Sequence, residues 1–221
     1  MIDFRNLRAV IWDMDGVFLD SEPIHFQALR ETFEKNKIPM DEDILESSFG
    51  LTDRLVIDSM TNGQLSSEEV DRIRTEKDRV FLEMVSGQAI FLPGVKEWMT
   101  AFKENDVLQA LASSSAYVSI NQILSELDAM HYFDAILSGA KFPSKPDPYV
   151  FLKAAEKLGV DPANCLVIED AVAGVQAAKG AGMWCVAVTT SNPEIKLGEA
   201  DLVFDTLDEM MLDQILELFK D

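Results

Sequence analysis

Six short apolar runs, several of them without a polar face, constrain this chain more than any other feature. They are AVIW (9–12), VLQALA (107–112), AILSG (135–139), CLVIE (165–169), CVAVT (185–189) and LVF (202–204). A strand with one wet face alternates apolar and polar residues. A run without that alternation fits a parallel strand covered on both sides by helices. Helical patterns fall between the runs, at 94–104 after Pro93, at 117–127 after a serine cluster, and at 148–158. The last lies between Asp147 and Gly159, with cap, first-turn proline and terminal glycine in the preferred order. Alternation of this kind predicts an α/β fold with a doubly wound, Rossmann-like, mostly parallel sheet.

One segment breaks the rhythm. From 18 to 89 the chain offers only helical patterns, at 23–35, 41–48 and 52–60, then a long helix opening at Ser66-Ser67-Glu68-Glu69. That opening is a capping-box pattern. The expected organisation is a core of 1–17 and 90–221 with an inserted α-helical cap at 18–89. FLPGV (91–95) would be the return hinge.

In an open parallel sheet, ligands bind just beyond the carboxyl ends of the strands. The first run ends in Asp13-Met14-Asp15 and the second in Ser113-Ser114-Ser115; Lys145 follows the third in SKPDP, and the fourth ends in Glu169-Asp170. Crowded carboxylates repel one another unless a cation sits among them. Mg²⁺ prefers oxygen ligands and suits two or three carboxylates. A phosphoryl group would complete the charge balance, its oxygens met by Lys145, the Ser113 hydroxyl and backbone N–H groups at a helix start. A carboxylate can attack phosphorus, and a second can protonate the leaving oxygen and then deprotonate a water. One aspartate of the pair would thus be the nucleophile and its neighbour the proton carrier, with Gly16 allowing the tight turn away from them.

The segments DMDGV, LASSS, SKPDP and VIEDAVAGV, in that order, resemble the four motifs of the haloacid dehalogenase superfamily. The phosphatase and phosphoglucomutase branch, with a helical cap after the first motif, is the most similar. The resemblance covers essentially the whole chain, and four motifs in order with a cap-sized gap are a specific signal. It implies Asp13 as nucleophile and Asp15 as general acid/base, with Ser113, Ser114 and Lys145 on the phosphoryl group. It also implies Mg²⁺ held by Asp13, the Asp15 backbone carbonyl and Asp170, with Glu169 in support. Dehalogenases of the superfamily lack the second carboxylate, so dehalogenation is set aside. In the cap, His25 of DSEPIHFQA matches a histidine that couples closure to chemistry, and Lys77 matches a mutase lysine. Arg54 of GLTDR stands one residue out of step with a mutase arginine, whose place Asp53 takes. Ala116-Tyr117 stands where the mutase has another lysine. A mutase holds a bisphosphorylated sugar by its distal phosphate and needs those cations. The resemblance therefore favours a Mg²⁺-dependent phosphatase, acting on a small phosphomonoester such as a sugar phosphate through an aspartyl-phosphate, over a β-phosphoglucomutase. A phospho-aspartate receiver domain shares the ingredients, but is about half this length, lacks the helical insertion and carries its acceptor on a later strand.

Each of these residues also has an ordinary role open to it. Asp13 and Asp15 could shape a turn, the serines could cap a helix, Lys145 could be solvated, and Glu169-Asp170 could start a helix. Their co-occurrence outweighs those roles. For the cap the ordinary roles weigh more: His25 as a packed ring, Arg54 and Lys77 as solvated helix charges, and Phe26, Phe33 and Phe81 as core. His131 is most simply a loop residue. With 39 Asp+Glu against 19 Lys+Arg and a formal charge of −20, the chain repels polyanions, which argues against nucleic acid and anionic membranes as partners. An anionic substrate must then meet locally placed cations, so the expected partner is a small phosphorylated metabolite. Cys165 and Cys185 sit in apolar runs and read as reduced, buried thiols. The start, MIDFRNLRAVIWD, has no long apolar segment and no run reaches ~18 apolar residues, which predicts a cytoplasmic protein. It would be a monomer or weak homo-oligomer.

Overall fold

Strand β1 (Ala9–Trp12) is buried along its whole length because it sits in the middle of the sheet. The computed structural model describes residue 4 and residues 6–220, apart from the side chain of Glu46; the expectations for residues 1–3, 5 and 221 lie outside the described residues. Five further strands complete the sheet: β2 (Leu108–Ser113), β3 (Ala135–Ser138), β4 (Cys165–Glu169), β5 (Trp184–Val188) and β6 (Leu202–Phe204). Their order is β3-β2-β1-β4-β5-β6, and every pairing is parallel. The winding reverses between β1 and β4, so the crevice at their carboxyl ends is the topological switch point.

Alternate residues of each strand feed two separate cores. Val10, Trp12, Leu111, Leu166, Ile168 and Val186 face one side. There they meet α5 (Val95–Glu104), α6 (Tyr117–Glu126) and α9 (Leu212–Leu218). Ala9, Ile11, Ala110, Ala112, Val167 and Ala187 face the other, against α7 (Tyr149–Leu158) and α8 (Val172–Gly180). Small side chains dominate that second face and let the helices approach closely. Cys165 and Cys185 lie within it, buried and unbridged. At α7 the helix begins one residue later than the sequence pattern indicates: Asp147 Oδ1 accepts the N–H of Tyr149 at 2.9 Å, and Gly159 ends the helix in a left-handed turn at φ 69°.

Between β1 and α5 run four helices: α1 (Glu22–Asn36), α2 (Glu42–Ser47), α3 (Asp53–Met60) and α4 (Ser67–Val85). The capping box at Ser66 is present, with both Ser66 and Glu69 side chains bonding the other's backbone N–H. These helices hold a core of their own around Leu29, Phe33, Leu45, Ile57, Val70 and Ile73. The far end of α4 joins the main core instead, through Phe81 and Val85. Among the described residues no helix is long and apolar enough to cross a membrane.

Candidate active site

The chain leaves β1 at the switch point, and Asp13 is held there by its own N–H, which donates to the Ile168 carbonyl at 2.9 Å. The backbone then doubles back: Gly16 N–H donates to Leu19 O, with Gly16 at φ 79° and so close to Asp170 that a Cβ would lie 1.8 Å from Oδ2. Only glycine fits that turn.

Lys145 is the cation at the centre. It is 1% exposed, and its Nζ donates to Asp13 Oδ1 at 2.6 Å and to Glu169 Oε1 at 2.5 Å. Glu169 Oε2 accepts the N–H groups of Asp170 and Ala171 at 2.9 and 3.0 Å. Helix α8 presses against this carboxylate at Gly174, where a Cβ would sit 1.8 Å from Oε1. Asp170 Oδ2 accepts the Ser191 hydroxyl, and the Asn192 side-chain amide donates to the Asp170 carbonyl at 3.2 Å. Asp170 Oδ1 is buried and has no partner.

Three buried carboxylates thus face one ammonium. Burial, reinforced by Glu169 and Asp15, pushes the Asp13 carboxyl up to about 8 in spite of Lys145. Burial together with Glu169 and Asp13 drives Asp170 well above the usual carboxylate range. Burial works against the Lys145 ammonium, but Asp13 and Glu169 outweigh it and hold its pKa above the usual lysine value. The site is short of positive charge. Asp13, Glu169 and Asp170 each offer an oxygen within 4.8 Å of the others, and the partnerless Asp170 Oδ1 is one buried acceptor still to be satisfied. Such an all-oxygen donor set suits a hard divalent cation.

Asp15 lies on the opposite side of this cluster, turned toward hydroxyls and an imidazole. Its Oδ1 accepts the Ser21 hydroxyl at 2.7 Å and meets His25 Nε2 at 3.0 Å. Its Oδ2 accepts the Ser115 hydroxyl at 2.7 Å and the Ser113 hydroxyl at 3.3 Å. Burial alone would raise this carboxyl, but His25, Ser115 and Ser21 hold it below the usual range. The His25 ring stacks on Phe81 at 4.0 Å, and its Nδ1 lies 2.7 Å from Lys77 Nζ. An ammonium can only donate, so Nδ1 accepts and Nε2 carries the hydrogen given to Asp15. Lys77 in turn pairs with Asp53 at 2.9 Å. A chain of contacts therefore runs from α3 through α4 and α1 to the strand end.

Above the cluster opens a cleft walled by Asp13, Asp15, Ser114 and Ser115 from the core and by His25, Phe26, Phe49, Leu51, Asp53 and Val56 from the helices and the loop before α3. Two hydrogen bonds dock the loop before α3 onto the core. Ser114 Oγ donates to the Gly50 carbonyl at 2.8 Å, and the Thr52 N–H donates to Ser144 Oγ at 3.0 Å.

Residues 10–188 match the family model of haloacid dehalogenase-like hydrolases. The chain belongs to this family. The hydrolase is 34% identical over 182 residues to a phosphorylated carbohydrates phosphatase of Thermotoga maritima, spanning 80% of this chain and 82% of the relative. It is 33% identical over 223 residues to hexitol phosphatase B of Escherichia coli, spanning 96% and 98%. Its backbone superposes on a crystal structure of β-phosphoglucomutase from Clostridium difficile with a TM-score of 0.87 at 31% identity, covering 96% and 97% of the two chains. The hydrolase thus falls in the phosphatase and phosphoglucomutase branch.

Of the residues singled out in the sequence, the fold gathers Asp13, Asp15, Ser113, Lys145, Glu169 and Asp170 at one end of the sheet, and His25 and Lys77 above them. Lys77 is only 2% exposed, which corrects its reading as a solvated charge. Arg54 is not brought in: its guanidinium pairs with Asp71 at 2.7 Å, 39% exposed. Adjacent helix positions point about 100° apart, so with Asp53 facing the cleft Arg54 faces out. Ser114 lines the cleft, but its hydroxyl is engaged by Gly50. Side chains alternate along an extended segment, so Ser113 and Ser115 point together and Ser115 reaches Asp15. Sequence reasoning gives no role to Ser21, Ser144 or Ser191, and names Ser115 only as a member of the serine cluster. A two-residue spacing was the available signal for Ser115, and the others carry none. Lys77 did carry one: it occupies the apolar stripe of α4 between Ile73 and Phe81, where a solvated charge does not belong.

Proposed function

We propose that this hydrolase is a Mg²⁺-dependent phosphatase that cleaves a small sugar phosphate through an aspartyl-phosphate on Asp13. The observation that carries the proposal is the buried set of Asp13, Lys145, Glu169 and Asp170, with one carboxylate oxygen unsatisfied, beside a separately hydrogen-bonded Asp15. Asp13, Asp170 and the Asp15 carbonyl would hold Mg²⁺, with Glu169 in support. Bound there, the ion supplies positive charge that keeps Asp13 ionised and balances a phosphoryl group.

Lys145 and the Ser113 hydroxyl hold the phosphoryl oxygens. Asp13 attacks phosphorus and the ester bond breaks; Asp15 takes up the proton that a monoanionic phosphate ester brings into the site and passes it to the departing sugar oxygen. Asp15, again a carboxylate, takes a proton from the water that then attacks the acyl phosphate. Phosphate leaves and Asp13 is restored. The His25 contact with Asp15 ties this proton carrier to the helices that close the cleft. The phosphatase names of two relatives support a carbohydrate phosphate as substrate. Release of inorganic phosphate from a panel of sugar phosphates tests the proposal. Wild type should turn over with Mg²⁺ and stop with a chelator, and Asp13→Asn should lose at least about 10⁴-fold. Activity retained in Asp13→Asn would remove covalent catalysis from the account.

The second reading, a β-phosphoglucomutase, draws support from the 31% identity to the Clostridium difficile enzyme. Conversion of glucose 1-phosphate to glucose 6-phosphate, primed by a bisphosphate and faster than phosphate release, would replace hydrolysis with isomerisation.

A further inference from the structure

Behind the wall facing the nucleophile, among the described residues, stands one buried ammonium, and that charge is already taken. Lys77 Nζ lies 2.9 Å from Asp53 Oδ1 and 3.1 Å from Oδ2, and it also donates to His25 Nδ1. Among the described residues no lysine or arginine lines the cleft, whereas Asp13, Asp15 and Asp53 all do. The rest of the wall is apolar or neutral, with Phe26, Leu29 and Val56 on the helical side. A ligand whose phosphoryl group is held at the strand ends by Asp13 and Lys145 therefore extends its other end toward a carboxylate, with no lysine or arginine on the cleft lining to meet it.

We infer that Asp53 selects the substrate, admitting monophosphates whose remaining part is uncharged and rich in hydroxyls and excluding esters that carry a second phosphate or a carboxylate. The inference rests on the proposed hydrolysis at Asp13 and narrows its substrate class. A second anion near Asp53 meets like charge in a partly dehydrated cleft, where repulsion is poorly screened. A hydroxyl instead finds an acceptor: a carboxylate offers about four lone-pair sites, and the ammonium does not use them all. Asp53 works in two ways, by its own charge and by neutralising Lys77.

The test compares phosphate release from sorbitol 6-phosphate and glucose 6-phosphate with release from 6-phosphogluconate and fructose 1,6-bisphosphate, all with Mg²⁺. In wild type, kcat/KM for the neutral-bodied esters should exceed that for the anionic ones by about 100-fold, the effect of about 2.7 kcal/mol. Asp53→Asn removes the repelling charge and frees Lys77, so activity on the anionic esters should rise and the ratio should fall below about tenfold. A gain on one substrate class cannot come from misfolding. Wild type turning over both classes equally, or Asp53→Asn leaving the ratio unchanged, would overturn the inference. Shifts in Tm caused by the same four esters read selection without turnover. Should none be hydrolysed, the hydrolysis proposal falls, while stabilisation by neutral-bodied esters alone still supports the selection and equal stabilisation by all four refutes it.

Discussion

Asp78 is a carboxylate in an unfavourable place. It follows Lys77 on α4, and burial, with repulsion from Asp53, raises its pKa to about 6 despite the nearby Lys77 and Arg74. Its ordinary value is near 4, so between about pH 4 and pH 6 the folded chain binds the proton that the unfolded chain has already released. Stability tied to this group is therefore full below that window and lost as pH rises through it. Asp78→Asn removes the linkage. The variant should melt higher than wild type at pH 7.5 and gain nothing at pH 4, which a pair of thermal scans would decide. An equal gain at both pH values would mean that the group's charge is not the cause. Asp78 also adds a carboxylate next to Lys77, a buried cation whose charge Asp53 already occupies.

At the scale of elements, the loop before α3 connects the helical wall to the strand-end residues proposed to hold the phosphoryl group. Its two anchors, Ser114 and Ser144, sit immediately after Ser113 and immediately before Lys145. Ser144→Ala leaves the part-buried Thr52 N–H without its acceptor, a loss of about 1 kcal/mol. The expected result is a severalfold drop in kcat/KM for a sugar phosphate with little change in Tm, and an unaltered kcat/KM would show that the contact is incidental. Such tertiary contacts are what the sequence hid. AVIW, CLVIE and LVF were legible to the residue because both their faces or their turn signals mark them, and Ser66–Glu69 was legible because a capping box is local chemistry. Helix α8 shows in the sequence only as a possible start at Glu169-Asp170, because VAGVQAAKG is built of small residues with little periodic contrast. Ser21, Ser144 and Ser191 look like any other serine, since what they do depends on which backbone or carboxylate the fold delivers to them. The motif residues at the strand ends were readable because a sheet of this class brings its carboxyl ends together whatever the intervening sequence.

For the whole molecule, a formal charge of −20 acts on every part at once. Self-repulsion of this size destabilises the compact state, and salt screens it over a Debye length of about 10 Å at 0.1 M. Raising NaCl from about 0.02 to 0.3 M should therefore increase Tm, and a flat or falling Tm would mean that local pairing already balances the field. With the same acidity, an anionic substrate would have to be attracted at the strand ends, where Lys145 stands and the proposed divalent ion would sit. The order of the strands has one more implication. β1 leads into Asp13, and both its neighbours are encoded far downstream, β2 at Leu108–Ser113 and β4 at Cys165–Glu169. A ribosome delivers that strand first, then all four helices of the insertion, and only afterwards the two strands that give it hydrogen-bonding partners. During synthesis the segment leading to Asp13 waits with its edges bare, and a chain that stops short of Cys165 has only β2 to pair with β1, leaving that strand flanked on one side.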